Sequence, residues 1–117
     1  MKPSKLDPEL EEGNIEYKRY LFNLTDIRYQ QLLTQLQWRL GEGDGEAIYY
    51  IGVNDDGNYF ELTRDQQKES ISNIKRLIKD AKSKITSFDF NKYFIRVKFR
   101  LIEKRVLKKE YRIILEL

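Results

Sequence analysis

The sequence predicts an α+β domain in which a mixed sheet packs two helices on one face. Strand-like and helical patterns follow the order β-α-β-β-α-β, with one or two further strands toward the C-terminal end. Both helical segments carry an apolar stripe that must be buried, and one sheet face can cover both. The 117 residues suit one compact domain, and the 40% hydrophobic fraction supplies its core.

The first half of the chain is predicted to contain a lead, a strand, a helix and a second strand. Residues 1–13 form a charged lead broken by proline and glycine, which we expect to be flexible, and a single domain occupies 14–117. Aromatic and charged residues alternate over 14–24, which indicates a strand. Leucines at helical spacing predict a helix over 26–40, and the mostly apolar segment 46–53 is typical of a buried strand.

The second half begins with a predicted hairpin. Its turn is Asp56-Gly57, a strong hairpin signal, and its return strand is residues 59–62. Thr63 and Gln66 have the spacing of a capping box, which opens a helix over 64–82. Three more strand patterns follow, over 84–90, 93–102 and 110–117.

Composition excludes several kinds of chemistry. The chain has no cysteine and no histidine, so thiol nucleophiles, imidazole bases and zinc sites built from these ligands are excluded. No apolar run approaches the ~20 residues of a membrane span, and the N-terminus lacks the apolar core of a secretory signal. By elimination we expect a cytoplasmic protein with no membrane partner.

The glycine-rich loop Gly41–Gly45 is interpreted as the C-terminal cap of the first helix. A phosphate-binding loop follows a strand and ends in a lysine, whereas this loop follows a helix and carries Glu42 and Asp44. These carboxylates would repel a phosphate. The loop is therefore expected to cap the first helix and to connect it to the next strand.

Basic residues are concentrated toward the C-terminal end, where residues 92–117 hold nine Lys or Arg against three Asp or Glu. Arg96, Lys98 and Arg100 share one face of a predicted strand, with Tyr93 and Phe94 beside them. Basic side chains can follow a nucleic-acid backbone while aromatic rings stack on bases. The three basic residues are therefore candidate RNA-binding residues, and an ordinary solvated sheet face is the alternative.

Four carboxylates form a second candidate site. Glu11 and Glu16 flank the first strand, and Asp55 and Asp56 lie at the hairpin tip. If these segments are neighbours, the carboxylates could hold Mg²⁺ and activate water against a phosphodiester. Alternatively, Asp56 only forms the turn and Glu11 belongs to the solvated lead. We expect no bound metal or cofactor in this chain.

Three motifs carry a resemblance to a known family. "NIEYK", "LLTQLQWRLGEGDGEAIYYIGVNDDGNYFEL" and "SISNIKRLIKDA" resemble the N-terminal domain of the GTP-binding protein 1/2 family, elongation factor Tu-like GTPases, over Glu11–Ala81. The resemblance implies an accessory domain of a GTPase that works with tRNA, ribosomes or mRNA turnover. Its partners would be RNA, a ribonucleoprotein or the adjoining GTPase domain.

The same resemblance implies a fragment that ends just before a GTPase phosphate loop. GTP and Mg²⁺ would bind to the parent protein, and this chain, which carries no GTPase signature, would have no enzymatic activity itself. If the chain is complete, a free-standing domain that serves as a structural interaction module is the alternative.

A second resemblance concerns the carboxylates. The spacing from Glu11 to Glu16, followed by "IGVNDDG", is similar to the Schlafen-type AlbA-like domain, some of whose members cut tRNA with three carboxylates. This resemblance implies a metal-dependent ribonuclease that uses Glu11, Glu16 and either Asp55 or Asp56.

Overall fold

The structure, a computed structural model that describes residues 5–102, confirms the predicted α+β class. Its elements are β1 (Ile15–Lys18), α1 (Asp26–Glu42), β2 (Glu46–Ile51), α2 (Arg64–Asp80), β3 (Ser83–Phe90) and β4 (Ile95–Leu101). The strand predicted over 110–117 lies outside the described residues. No helix within residues 5–102 is long and apolar enough to cross a membrane.

The four strands form one mixed sheet in the order β1-β2-β4-β3, with β1 parallel to β2 and the other pairs antiparallel. Alternate residues of the central strands are buried, among them Tyr49 on β2 and Val97 and Phe99 on β4. These side chains form one core with the apolar stripes of both helices, including Leu36 and Leu77. The helices therefore share one sheet face, and the described residues place no helix on the opposite face, which we call the outer face.

Both helices begin at the threonines that their sequences favour as N-caps. The hydroxyl of Thr25 accepts from the N–H of Arg28, and Thr63 and Gln66 form the predicted capping box of α2. Helix α1 continues to Glu42, two residues beyond its predicted end, because the N–H of Gly43 still donates to the carbonyl of Arg39.

The glycine loop forms a tight connection between α1 and β2. Asp44 and Gly45 have positive φ values of 52° and 95°. A Cβ on Gly43 would lie 1.9 Å from the carbonyl oxygen of Glu46, so this close approach requires glycine.

Strand β1 is shorter than the predicted strand over 14–24. The N–H groups of Gly52 and Val53 both donate to the carbonyl of Lys18, which ends the ladder with β2. The chain then crosses to the helix layer, where Leu21 is buried and its N–H donates to the hydroxyl of Ser70 at 3.0 Å. Residues 19–24 therefore contribute to the core without belonging to the sheet.

The return strand predicted over 59–62 is reduced to one isolated bridge between Val53 and Tyr59. Both edges of β2 are already paired, one with β1 and one with β4, so β2 has no free edge with which residues 59–62 could form a ladder. The observed order is β-α-β-α-β-β. The turn itself forms as predicted, because the Asp56 carboxylate accepts from the N–H of Asn58 and Gly57 takes a φ of 91°.

The buried guanidinium of Arg39 on α1 joins the helix layer to β1 and to the lead. Its Nε donates to Glu16 at 2.8 Å, while its two terminal nitrogens donate to the carbonyls of Gly13 at 2.6 Å and Leu10 at 3.0 Å. Lys18 pairs with the other oxygen of Glu16 at 3.3 Å. Residues 5–13 contain no helix or strand, but these bonds tie them to the sheet.

Candidate nucleic-acid interface

The three candidate RNA-binding residues lie together on the outer face. Strand β4 alternates strictly, so Val97 and Phe99 point into the core while Arg96, Lys98 and Arg100 point away from it. Arg96 and Lys98 are half-buried and Arg100 is exposed. Among the described residues, none of the three lies within 4.0 Å of a carboxylate oxygen. Their charges are thus available to a partner.

The strands on both sides of β4 set the electrostatics of this face. Each basic residue has one neighbour on β2 and one on β3: Tyr50 and Asp89 beside Arg96, Ile48 and Ser87 beside Lys98, Glu46 and Lys84 beside Arg100. With Lys84, the face carries four cations and two carboxylates on these three strands. Its net charge is positive, which suits a polyanion.

A row of aromatic rings continues the basic face toward the start of β4. The rings of Tyr17 and Tyr50 meet edge to face with centroids 5.7 Å apart, and Tyr50 meets Phe94 in the same way at 5.2 Å. Phe94 and Tyr93 both pack against Tyr59, at 6.1 and 5.3 Å. Four of the five rings are half-buried, with Tyr17 buried. Half-buried rings beside cations are able to stack on unpaired bases.

A cavity of about 360 Å³ opens beside this row. Tyr59, Phe60, Tyr93 and Phe94 contribute to its lining, together with Gln67 of α2. Its size lies in the range of ligand sites, and its combination of ring faces with a few polar groups suits a planar group.

The four candidate metal ligands do not form a common site. Glu16 is buried and engaged by Arg39 and Lys18, while Glu11 is exposed. Asp55 and Asp56 are exposed at the turn, where the hydrogen bond from the Asn58 backbone lowers the pKa of Asp56. Within residues 5–102, no group of three or more acidic side chains is arranged to hold a metal ion.

A carboxylate that the sequence analysis did not single out, Glu9, interacts with Glu16. It accepts from the N–H of Tyr17 at 2.5 Å, and its own N–H donates to the carbonyl of Asp55 at 2.7 Å. The pKa of Glu9 is raised to about 7, chiefly by burial and in addition by Glu16 and Asp55, against the opposing hydrogen bond from Tyr17. This carboxylate holds the lead against β1.

Comparison with known proteins finds relatives that match most of the chain. It is 43% identical to GTP-binding protein 2 of Mus musculus and of Homo sapiens over 84 residues, which are 72% of this chain and 14% of each relative. An uncharacterized protein of Acanthamoeba polyphaga mimivirus is 44% identical over 52 residues, 44% of this chain and 28% of that protein. No family model and no solved structure matches the chain.

Proposed function

Because this chain carries a domain of the GTP-binding protein 1/2 family, as its motifs indicate and the identities to GTP-binding protein 2 confirm, we propose that the domain binds single-stranded RNA through its outer face. The chain spans 14% of the length of those relatives, and the rest of such a protein would supply the GTPase. GTP and Mg²⁺ would then bind outside this domain. RNA or a ribonucleoprotein would be its partner, in translation in the cytoplasm.

The observation that supports this function most strongly is the position of Arg96, Lys98 and Arg100. Their cations lie in one row on a face where residues 5–102 place no helix, and none has a carboxylate of these residues within 4.0 Å. A row of cations along a strand can follow phosphates, because successive side chains on one face repeat at about 7 Å. Electrostatic attraction of this kind supplies most of the affinity of sequence-independent binding.

The aromatic row favours single strands over duplexes. Duplex RNA keeps its bases stacked inside the helix, whereas a single strand presents free base faces to protein rings. Tyr50 and Phe94 adjoin Arg96, so a strand whose phosphates contact β4 could place bases on these rings. The cavity whose lining includes Tyr59, Phe60 and Phe94 would accept a further base.

The adjoining GTPase domain is a second candidate partner for the outer face. Ile15, which is 40% exposed, and half-buried Ile48 lie beside each other there, and Glu46 lies opposite Arg100. Apolar groups mixed with both signs of charge are typical of protein interfaces. This arrangement suits contact with a protein in cis.

Salt-dependent binding of a fluorescently labelled, unstructured RNA to the full chain tests the RNA proposal. If three cations each neutralise one phosphate, log K falls with log salt with a slope of about −2, and affinity drops about twentyfold between about 50 and 200 mM salt. The variant Arg96→Ala/Lys98→Ala/Arg100→Ala should lose this salt dependence together with most of the binding.

A control variant removes three charges elsewhere. Lys68, Lys75 and Lys79 are exposed on α2, on the opposite side of the sheet, and replacing all three by Ala should leave RNA affinity within about twofold. Equal losses in both triple variants would show that only net charge matters. Absence of binding at low salt would contradict the RNA proposal and leave the GTPase domain as the partner to test.

A further inference from the structure

Strand β3 forms one margin of the sheet. In the described part of the chain it pairs with β4 alone, and no other backbone group of residues 5–102 pairs with its second side. Phe88 and Phe90 on this strand are 42% and 50% exposed, although they lie on the same face as the core residues of β4. An edge of this kind is a template for pairing with another strand.

A bulge gives this edge an unusual arrangement of charges. The register with β4 shifts between Ile85 and Ser87. In a regular strand, residues 84 and 89 would lie on opposite faces, because side chains alternate. The extra residue of the bulge shifts this alternation by one position. Lys84 and Asp89 therefore both lie on the outer face, opposite Arg100 and Arg96 respectively.

This arrangement makes β3 complementary to itself. Suppose that β3 pairs antiparallel with β3 of a second copy over all eight residues. Lys84 of one copy then lies opposite Asp89 of the other on the outer face. On the other face, Ile85 lies opposite Phe88. Both pairs occur twice by symmetry, and both have their side chains on the same side of the sheet, as cross-strand pairing requires.

Lys84 also lacks a counter-ion among residues 5–102. Its cross-strand neighbour is Arg100, a like charge that is unfavourable at this distance, and no carboxylate of residues 5–102 lies within 4.0 Å of its ammonium group. Asp89 of a second copy would supply that carboxylate. Phe88 would at the same time be covered by Ile85 of the second copy.

We propose that two copies of this chain associate through their β3 edges, so that the four described strands of each copy join in one continuous sheet. A two-fold axis perpendicular to the sheet keeps both helix layers on one side and both outer faces on the other. The dimer therefore presents two rows of Arg96, Lys98 and Arg100 on a single surface. This association does not depend on RNA binding.

Sedimentation velocity of the full chain from the micromolar to the millimolar range tests the proposal. The wild type should show a monomer–dimer equilibrium. Lys84→Glu and Asp89→Lys should each weaken dimerisation about tenfold or more, because each places two pairs of like charges across the interface. The combination Lys84→Glu/Asp89→Lys should restore it, because opposite charges face each other again.

Matched controls separate this effect from misfolding and from net charge. Lys75→Glu changes the charge by the same amount on the exposed side of α2 and should leave dimerisation unchanged. Circular dichroism should show the wild-type fold in every variant. The proposal is overturned if the wild type stays monomeric throughout the range. It is overturned equally if the single variants dimerise like the wild type, or if the double variant is weaker than either single one.

Discussion

Replacement of Arg39 by alanine should destabilise the domain by about 3 kcal/mol. The side chain is 3% exposed and donates to Glu16, Gly13 and Leu10, so its removal leaves a buried carboxylate without its closest partner. Breaking a buried ion pair from one side costs about 3–5 kcal/mol. We expect the lower end of that range, because Lys18 remains 3.3 Å from the other oxygen of Glu16.

Urea unfolding followed by far-ultraviolet circular dichroism measures this loss. Tryptophan fluorescence is unsuitable, because the guanidinium of Arg39 lies 4.9 Å from the ring centre of Trp38 and its removal changes the probe itself. Arg28→Ala, at an exposed position of the same helix, is the control and should cost less than about 0.5 kcal/mol. A loss below about 1 kcal/mol for Arg39→Ala would refute the reasoning.

The double variant Glu16→Leu/Arg39→Met tests the same reasoning from the opposite direction. It removes both charges and fills the site with apolar side chains, which is often neutral or stabilising in other proteins. We expect it to recover most of the stability that Arg39→Ala loses. A double variant as unstable as the single one would show that the bonds from Arg39 to the lead carry the energy, not the unpaired charge.

Three further predictions concern the lead and the core. Folding raises the pKa of Glu9 from 4.5 to about 7, so the free energy of unfolding is highest below pH 4.5 and falls as the pH rises toward and through 7. Solvent screening limits this fall to about 1 kcal/mol, and Glu9→Gln should abolish this pH dependence in urea titrations. Ser70→Ala leaves the N–H of Leu21 without an acceptor and should cost about 1–3 kcal/mol in urea unfolding. Gly57→Ala places a Cβ 2.0 Å from the carbonyl oxygen of Leu6 and should cost about 1–3 kcal/mol and accelerate hydrogen exchange in the lead.

Each of these variants has a matched control. Glu11→Gln, at an exposed position, should leave the pH dependence unchanged, and Ser72→Ala, exposed on α2, should cost almost nothing. Gly13→Ala has the same positive φ, but its new Cβ meets nothing within 4 Å, so it should not accelerate exchange at Leu6. Equal effects of a variant and its control would contradict the corresponding prediction.

The parts of the fold that were predicted correctly are those that local patterns determine. The stripe of α2 and its capping box involve residues three or four apart, so the sequence alone carries the signal. Strand β4 alternates so regularly that its buried residues followed from the sequence, as did the shared face of Arg96, Lys98 and Arg100.

The errors occurred where tertiary contacts decide. Residues 19–24 continue the alternation of β1, but Leu21 leaves the sheet for a hydroxyl on α2 49 positions further along the chain. Residues 59–62 follow a strong turn signal, but β4 occupies the side of β2 that they would pair with. Strand order is not encoded locally, so neither outcome was predictable from short-range patterns.

The candidate site was predicted only in part for the same reason. The basic residues and Phe94 are close in sequence, whereas Tyr17, Tyr50 and Tyr59 join them only through the sheet register and the turn. Glu9 belongs to a segment that we expected to be flexible. Its hydrogen bonds to Tyr17 and Asp55 depend on the folded sheet, and whether the lead is flexible in solution stays a prediction.

Photo-cross-linking tests the central claim most directly. The full chain is irradiated with an unstructured RNA that contains 4-thiouridine, and the cross-linked residues are identified by mass spectrometry. The proposed interface predicts cross-links to the rings of Tyr50, Tyr93 and Phe94 and to neighbouring residues of β4. Cross-links confined to the exposed sides of α1 and α2 would contradict it.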